Sequence, residues 1–126
     1  MTRKEARQTV MTALFQMEIQ NEWNENSIEG FLGEKPLGNQ KEYIVNTVKN
    51  YVLKKEEFDS RINNVSEGWP IERIAKTDLA IIRTALSEID SKAVPKAVAV
   101  NEAVELSKIF SSDNGPKFVN AILGKL

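Results

Sequence analysis

The stretch from Pro95 to Phe110 constrains this chain more than any other. Wound at about 100° per residue, it spreads Val98, Ile109, Leu106, Ala99, Phe110, Ala103, Val100 and Val104 around most of a helix circumference. Only a narrow arc of Asn101, Glu105 and Lys108 is left polar. A helix apolar nearly all round is a buried one, and this one is too short to span a bilayer. Pro95 suits the first helical position, where its missing N–H is not needed. The segment is therefore expected to be the central helix of a small soluble bundle, covered on several sides.

The rest of the chain supplies the covering helices. Residues 2–21 carry Ala6, Val10, Ala13, Leu14 and Met17 on one stripe, with Arg3 and Arg7 at its margin. Met11, Phe15 and Ile19 form a second apolar line that is either core or a docking surface for a partner protein. Residues 22–40 read as a connector with a short helical island, Ser27 capping it. Residues 40–65 read as one long helix, in which the charged cluster Lys54-Lys55-Glu56-Glu57 either lies on a solvated face or marks a bend. Gly68-Trp69-Pro70 is the main break, with Trp69 expected to plug the seam between two helical halves. A short helix at 71–75 follows. Thr77 is expected to cap the next helix, Asp78–Asp90, whose stripe is Leu79, Ile82, Leu86 and Ile89 with Arg83 at its edge. The turn at 111–116 opens a last helix, Lys117–Leu126. No strand pattern or repeat stands out. The expected architecture is all-α: a compact bundle forming a single domain over 1–126, with halves of roughly 1–67 and 68–126.

At 126 residues the chain can bury a real core, and with 41% apolar and 28% charged residues it is not a disordered composition. It has neither Cys nor His. That removes disulfides, thiol nucleophiles, imidazole acid–base chemistry and Cys/His metal sites, so no metal or cofactor is expected. No glycine-rich phosphate loop is present, and no enzyme activity is expected. The cysteine-free composition fits a cytoplasmic protein, and no signal-peptide or membrane-spanning run is visible. Glu102 falls inside the apolar arc of the Pro95–Phe110 helix. A buried carboxylate needs a cation, so Glu102 is expected to pair with Arg83 or Arg73 in a buried network, Arg83 being preferred, with a catalytic acid as the alternative.

The net charge of −1 means that a polyanion would have to be held by a local patch. Two places offer the ingredients. Arg3, Lys4 and Arg7 put cations at the start of the first helix. Phe118, flanked by Lys117 and Asn120, combines a stacking ring, a cation and an amide able to read a base edge.

Taken together, several stretches carry a resemblance. They are Arg3-Lys4-Glu5-Ala6-Arg7, Ala13-Leu14-Phe15-Gln16, Trp69-Pro70-Ile71-Glu72-Arg73-Ile74 with Asp78 and Ile81–Leu86, the Val100–Leu106 heart of Pro95–Lys108, and Lys117–Leu123. In this order and spacing the chain resembles the NusB family of bacterial transcription antitermination factors over essentially its whole length. The resemblance implies two helical subdomains, no enzymatic activity, and binding of the boxA element of nascent ribosomal RNA together with NusE, a small-subunit ribosomal protein. The pair would then join other Nus factors on RNA polymerase. By motif, the RNA surface would comprise Arg3, Arg7, Asn114, Lys117, Phe118 and Asn120, and the NusE surface Phe15 and Asp78. Ser87 stands where the family commonly has Tyr, and Ala121 where it usually has Gly. A protein-binding adaptor without RNA contacts is the alternative function. The apolar line on the first helix also leaves room for a homodimer that would occlude Arg3 and Arg7.

Overall fold

The first helix, α1 (Arg3–Gln20), starts at a reciprocal cap: the Thr2 hydroxyl accepts from the Glu5 N–H at 3.1 Å and the Glu5 carboxylate from the Thr2 N–H at 2.9 Å. It ends at Asn21 in the left-handed region, whose N–H reaches back to carbonyls of the last turn. A computed structural model describes all 126 residues, and six further helices follow: α2 (Ile28–Leu32), α3 (Lys41–Leu53), α4 (Lys55–Val65), α5 (Lys76–Asp90), α6 (Lys96–Phe110) and α7 (Gly115–Lys125). Short 3-10 turns lie at Glu25–Ser27, Gly38–Gln40 and Ile71–Arg73, and there are no strands.

The central helix is α5, not the Pro95–Phe110 segment. Every residue from Asp78 to Glu88 is buried, and α1, α3, α6 and α7 all pack on α5. Helix α6 is peripheral. It buries Ala99, Ala103, Leu106 and Ser107, whereas Val98, Ile109 and Phe110 are exposed by 42%, 61% and 45%. The α6 wheel is apolar largely through alanine and valine, which tolerate a surface position. The α5 wheel is interrupted by Arg83, Thr84, Ser87 and Glu88, which look like a solvent face until their partners are known. Thr84 donates to the Ala80 carbonyl at 2.8 Å, and Ser87 donates to the Thr47 carbonyl of α3 at 2.6 Å. Burial then costs them little.

The charged pair of α5 is keyed to other helices. Arg83 is 2% exposed; its Nε and Nη2 donate to both oxygens of Asp59 on α4, at 3.2 and 2.9 Å, and its Nη1 donates to Glu18 on α1 at 2.6 Å. Glu88 accepts a two-pronged contact from Arg7 of α1, 2.9 Å at each oxygen, with both side chains buried. The expected Glu102–Arg83 pair is therefore not formed. Arg83 is saturated by Glu18 and Asp59. Glu102 is one-third exposed and lies 3.5 Å from Arg7, and Arg73 is exposed.

Other expectations are corrected locally. Residues 40–65 form two helices, broken at Lys54 (φ −113°, ψ 21°). The break lets Tyr51 and Phe58 both turn inward, with ring centroids 5.0 Å apart. Thr77 lies inside α5, which starts at Lys76 without a side-chain cap, and Ser27 bonds Glu22 rather than capping α2. Pro95 is the residue before α6, not its first turn. The last helix begins at Gly115, two residues earlier than expected. Trp69 does not plug a seam: it is half exposed, and its indole N–H closes the following turn on the Arg73 carbonyl at 3.1 Å.

Two outcomes are expected in urea unfolding. Glu88→Ala strands the Arg7 guanidinium in the interior and is expected to lower stability by about 3–5 kcal/mol, while Arg7→Met with Glu88→Leu recovers most of that loss. The second concerns acid. Burial pushes the Glu18 carboxyl up, but the Arg83 and Lys76 cations bonded to it more than offset this and hold it below its ordinary 4.5. A carboxyl depressed in the folded state adds stability that is complete above 4.5 and is lost as pH falls through its folded value. Stability is therefore expected to drop below pH 4.5, with a shallower drop in Glu18→Gln.

Candidate nucleic-acid interface

The expected RNA residues fall at two separate places. At the start of α1, Arg3 is exposed. Its Nε donates to the Gln40 side-chain oxygen at 2.7 Å, and its guanidinium carbon sits 4.0 Å from the centre of the Tyr43 ring. This anchored stack presents a planar cation to solvent. Lys4 beside it is also exposed. Arg7, one turn on, is 4% exposed and committed to Glu88. The expectation that Arg7 lies on the same surface as Arg3 is corrected. The pairing Glu88 is remote in sequence, so the apparent margin of the α1 stripe is in fact interior. Here Arg7 is a positioning residue that clamps α1 to α5.

The second place is the joint between α6 and α7. The Ser111 hydroxyl donates to the Asp78 carboxylate, so Asp78 is buried at the first turn of α5 and closed over by the joint. Gly115 is buried against the same pair. A Cβ added there would lie 1.9 Å from Ser111 Oγ, 2.5 Å from Ser111 Cβ and 3.2 Å from Asp78 Oδ1. Glycine thus allows the close approach that sets where α7 starts. From that start Asn114, Lys117 and Asn120 are exposed, and Phe118 is half buried with its ring resting on the core. Lys117 and Asn120, three residues apart, share one side of the helix.

Helices α1 and α7 each pack on α5. Arg7 meets α5 at Glu88 and the joint meets it at Asp78, ten residues apart and so about 15 Å along the axis. Helix α6 bridges the two places, from Glu102 beside Arg7 to Ser111 at the joint. A strand touching both Arg3 and Phe118 would run along α6. Phe110, exposed at the end of α6, is a second aromatic next to the joint. The helical wheel had placed it in the core, and only its position in the last turn, beyond the cover of neighbouring helices, brings it out.

The expected partner residues are also apart in character. Along the second line of α1, Met11 is buried, Phe15 half buried and Ile19 55% exposed, so the line climbs out of the core. Asp78 offers little surface. No group of three or more acidic, His or Cys side chains is placed to hold a metal ion, and no helix is long and apolar enough to cross a membrane.

Gly115→Ala is expected to push the end of α6 away from α7 and lower stability by roughly 1–3 kcal/mol in urea unfolding, because rotating Ser111 away cannot clear its own Cβ.

Comparison with known proteins places this arrangement. The NusB family profile matches residues 4–126. A protein of Alkaliphilus oremlandii described as transcription antitermination protein NusB is 46% identical, the alignment covering 99% of this chain and 92% of that protein. One of Acetivibrio thermocellus with the same description is 41% identical over 100% of this chain and 88% of its own. The solved structure of NusB from T. maritima superposes with a TM-score of 0.87 at 29% identity, covering 98% of this chain and 89% of that one.

Proposed function

The chain belongs to the NusB family, and from that premise we propose that it acts as a transcription antitermination factor that binds single-stranded RNA. Together with NusE it would bind the boxA element of nascent ribosomal RNA and join other Nus factors on RNA polymerase in the cytoplasm. It works by binding, without catalysis and without a cofactor. The observation that supports this reading most is the pair of exposed ends: the anchored Arg3 stack on α1, and Lys117, Phe118 and Asn120 on α7, with Asn114 just before it. Arg3 and Lys117 supply cations for phosphates, Phe118 a ring for a base, and the asparagines amides for base edges. Arg7 contributes by fixing α1, and therefore Arg3, to α5. With a net charge of −1 the molecule has no long-range pull on RNA, so a partner that adds contacts along the strand suits it.

The NusE contact is proposed at Phe15, with Asp78 holding the α6–α7 joint in shape. The competing reading, an adaptor that binds only protein, is favoured by the exposure of Ile19 and the half-exposed Phe15. The same line offers a homodimer contact when NusE is absent.

Titration of boxA RNA with and without NusE separates these readings. Affinity is expected to rise with NusE and to fall with a log–log salt slope of roughly −1 to −2 for two phosphate contacts. Phe118→Ala should weaken binding by roughly tenfold. Unchanged RNA binding in Phe118→Ala, with partner binding lost in Phe15→Ala, would favour the adaptor instead. Sedimentation that stays monomeric at high concentration would exclude the homodimer.

A further inference from the structure

A cleft of about 390 Å³ opens beside Arg3, between the start of α1, the Gly38–Gln40 turn, the first turns of α3 and the loop after α5. Arg3 and Tyr43 both line it. The guanidinium carbon lies 4.0 Å from the centre of the Tyr43 ring, and Arg3 is an exposed residue. Only the Nε–H of Arg3 has a protein acceptor, Gln40, which leaves four of its five N–H donors free. The comparable cleft beside Trp23 differs, because its arginine, Arg83, is already satisfied by two carboxylates. Tyr43 is 9% exposed, so its ring is a packed base beneath Arg3.

The polar lining decides what the cleft suits. Arg3 and Glu42 are its charged residues, and they cancel; Asn39 and Asn46 add exposed amides. A neutral cleft lined by a planar cation favours a nucleobase over a phosphate. A base would stack on the outer face of the guanidinium, as unpaired RNA bases do on arginine. The Glu42 carboxylate is an acceptor only, and the Asn46 amide both donates and accepts. Together they match a base edge that carries an exocyclic amino group beside an acceptor or donor. Uracil has no amino group, and its O4 would face the Glu42 carboxylate without a proton between them.

We propose that this cleft is a nucleotide subsite for one unpaired base bearing an exocyclic amino group, on the RNA strand where it passes the start of α1. This rests on the RNA-binding reading above and extends it to residues that neither the family match nor the sequence motifs assign. Glu42 and Asn46 read the base, and Arg3 carries it.

The test uses the full chain with NusE and a boxA RNA lengthened at both ends, in which each nucleotide in turn is replaced by uridine. At one position uridine is expected to lower affinity by about tenfold, the discrimination of one good base-edge contact. In Glu42→Ala and Asn46→Ala that preference should shrink to less than about twofold, while the effect of Phe118→Ala persists. Both substitutions are at exposed positions on α3. A uridine penalty that is the same in both variants as in the parent chain, or absent at every position, overturns the subsite and leaves the RNA-binding reading standing. No binding of any boxA RNA by the parent chain overturns both.

Discussion

Arg7 carries its charge into the interior, where Glu88 receives it with both oxygens, and Arg83 does the same with Asp59 and Glu18. These contacts tie α5 to α1 at two heights and to α4 at one. Apolar packing alone would let the antiparallel α1 and α5 slide by a turn at little cost, since alanines, valines and isoleucines interchange well along a groove. A buried guanidinium does not permit that. Shifted by one turn, it would lose its carboxylate and remain desolvated, which is far more costly than a misfitted methyl. The ion pairs add less to stability than to register. Everything outside α5 takes its position from that register, including the cap that presents Arg3 and the joint that presents Phe118.

The joint between α6 and α7 applies the same logic on a smaller scale. Asp78, Ser111 and Gly115 meet without room for another atom, so the direction of α7 follows from α5. Function, on the proposed reading, sits at the ends of helices whose middles are fixed by buried polar contacts. The α6 helix, apolar in sequence and half exposed in fact, runs between those ends with Val98, Ile109 and Phe110 facing outward. The Arg3 stack is anchored from the connector side by Gln40 and from α3 by Tyr43, so a stretch that looked like a plain linker helps to build the exposed start of α1.

The all-helical class, the first helix beginning near Thr2, the turn before the last helix, the break at Gly68, and the family were legible in the residues themselves. These depend on local spacing and backbone freedom, which the sequence states directly, whereas the caps expected at Ser27 and Thr77 do not form. The exposed placement of Lys117 and Asn120 also followed from helical phase. What the residues did not reveal was which helix is central. Helix α6 scored as buried because its wheel is apolar, and α5 scored as one-sided because Arg83, Thr84, Ser87 and Glu88 look like solvent-facing groups. Burial of a polar side chain depends on whether a partner waits for it. The partners here, Arg7, Glu18, Thr47 and Asp59, come from α1, α3 and α4, 24 to 81 residues away. The same gap misassigned Arg7 to the surface and Glu102 to Arg83. The sequence by itself determined the all-helical class and the kinship, but neither the break at Lys54 nor the helix caps. Only the tertiary structure decided which charges are interior, because pairing between distant residues, not the polarity of any one of them, sets the cost of burying a charge.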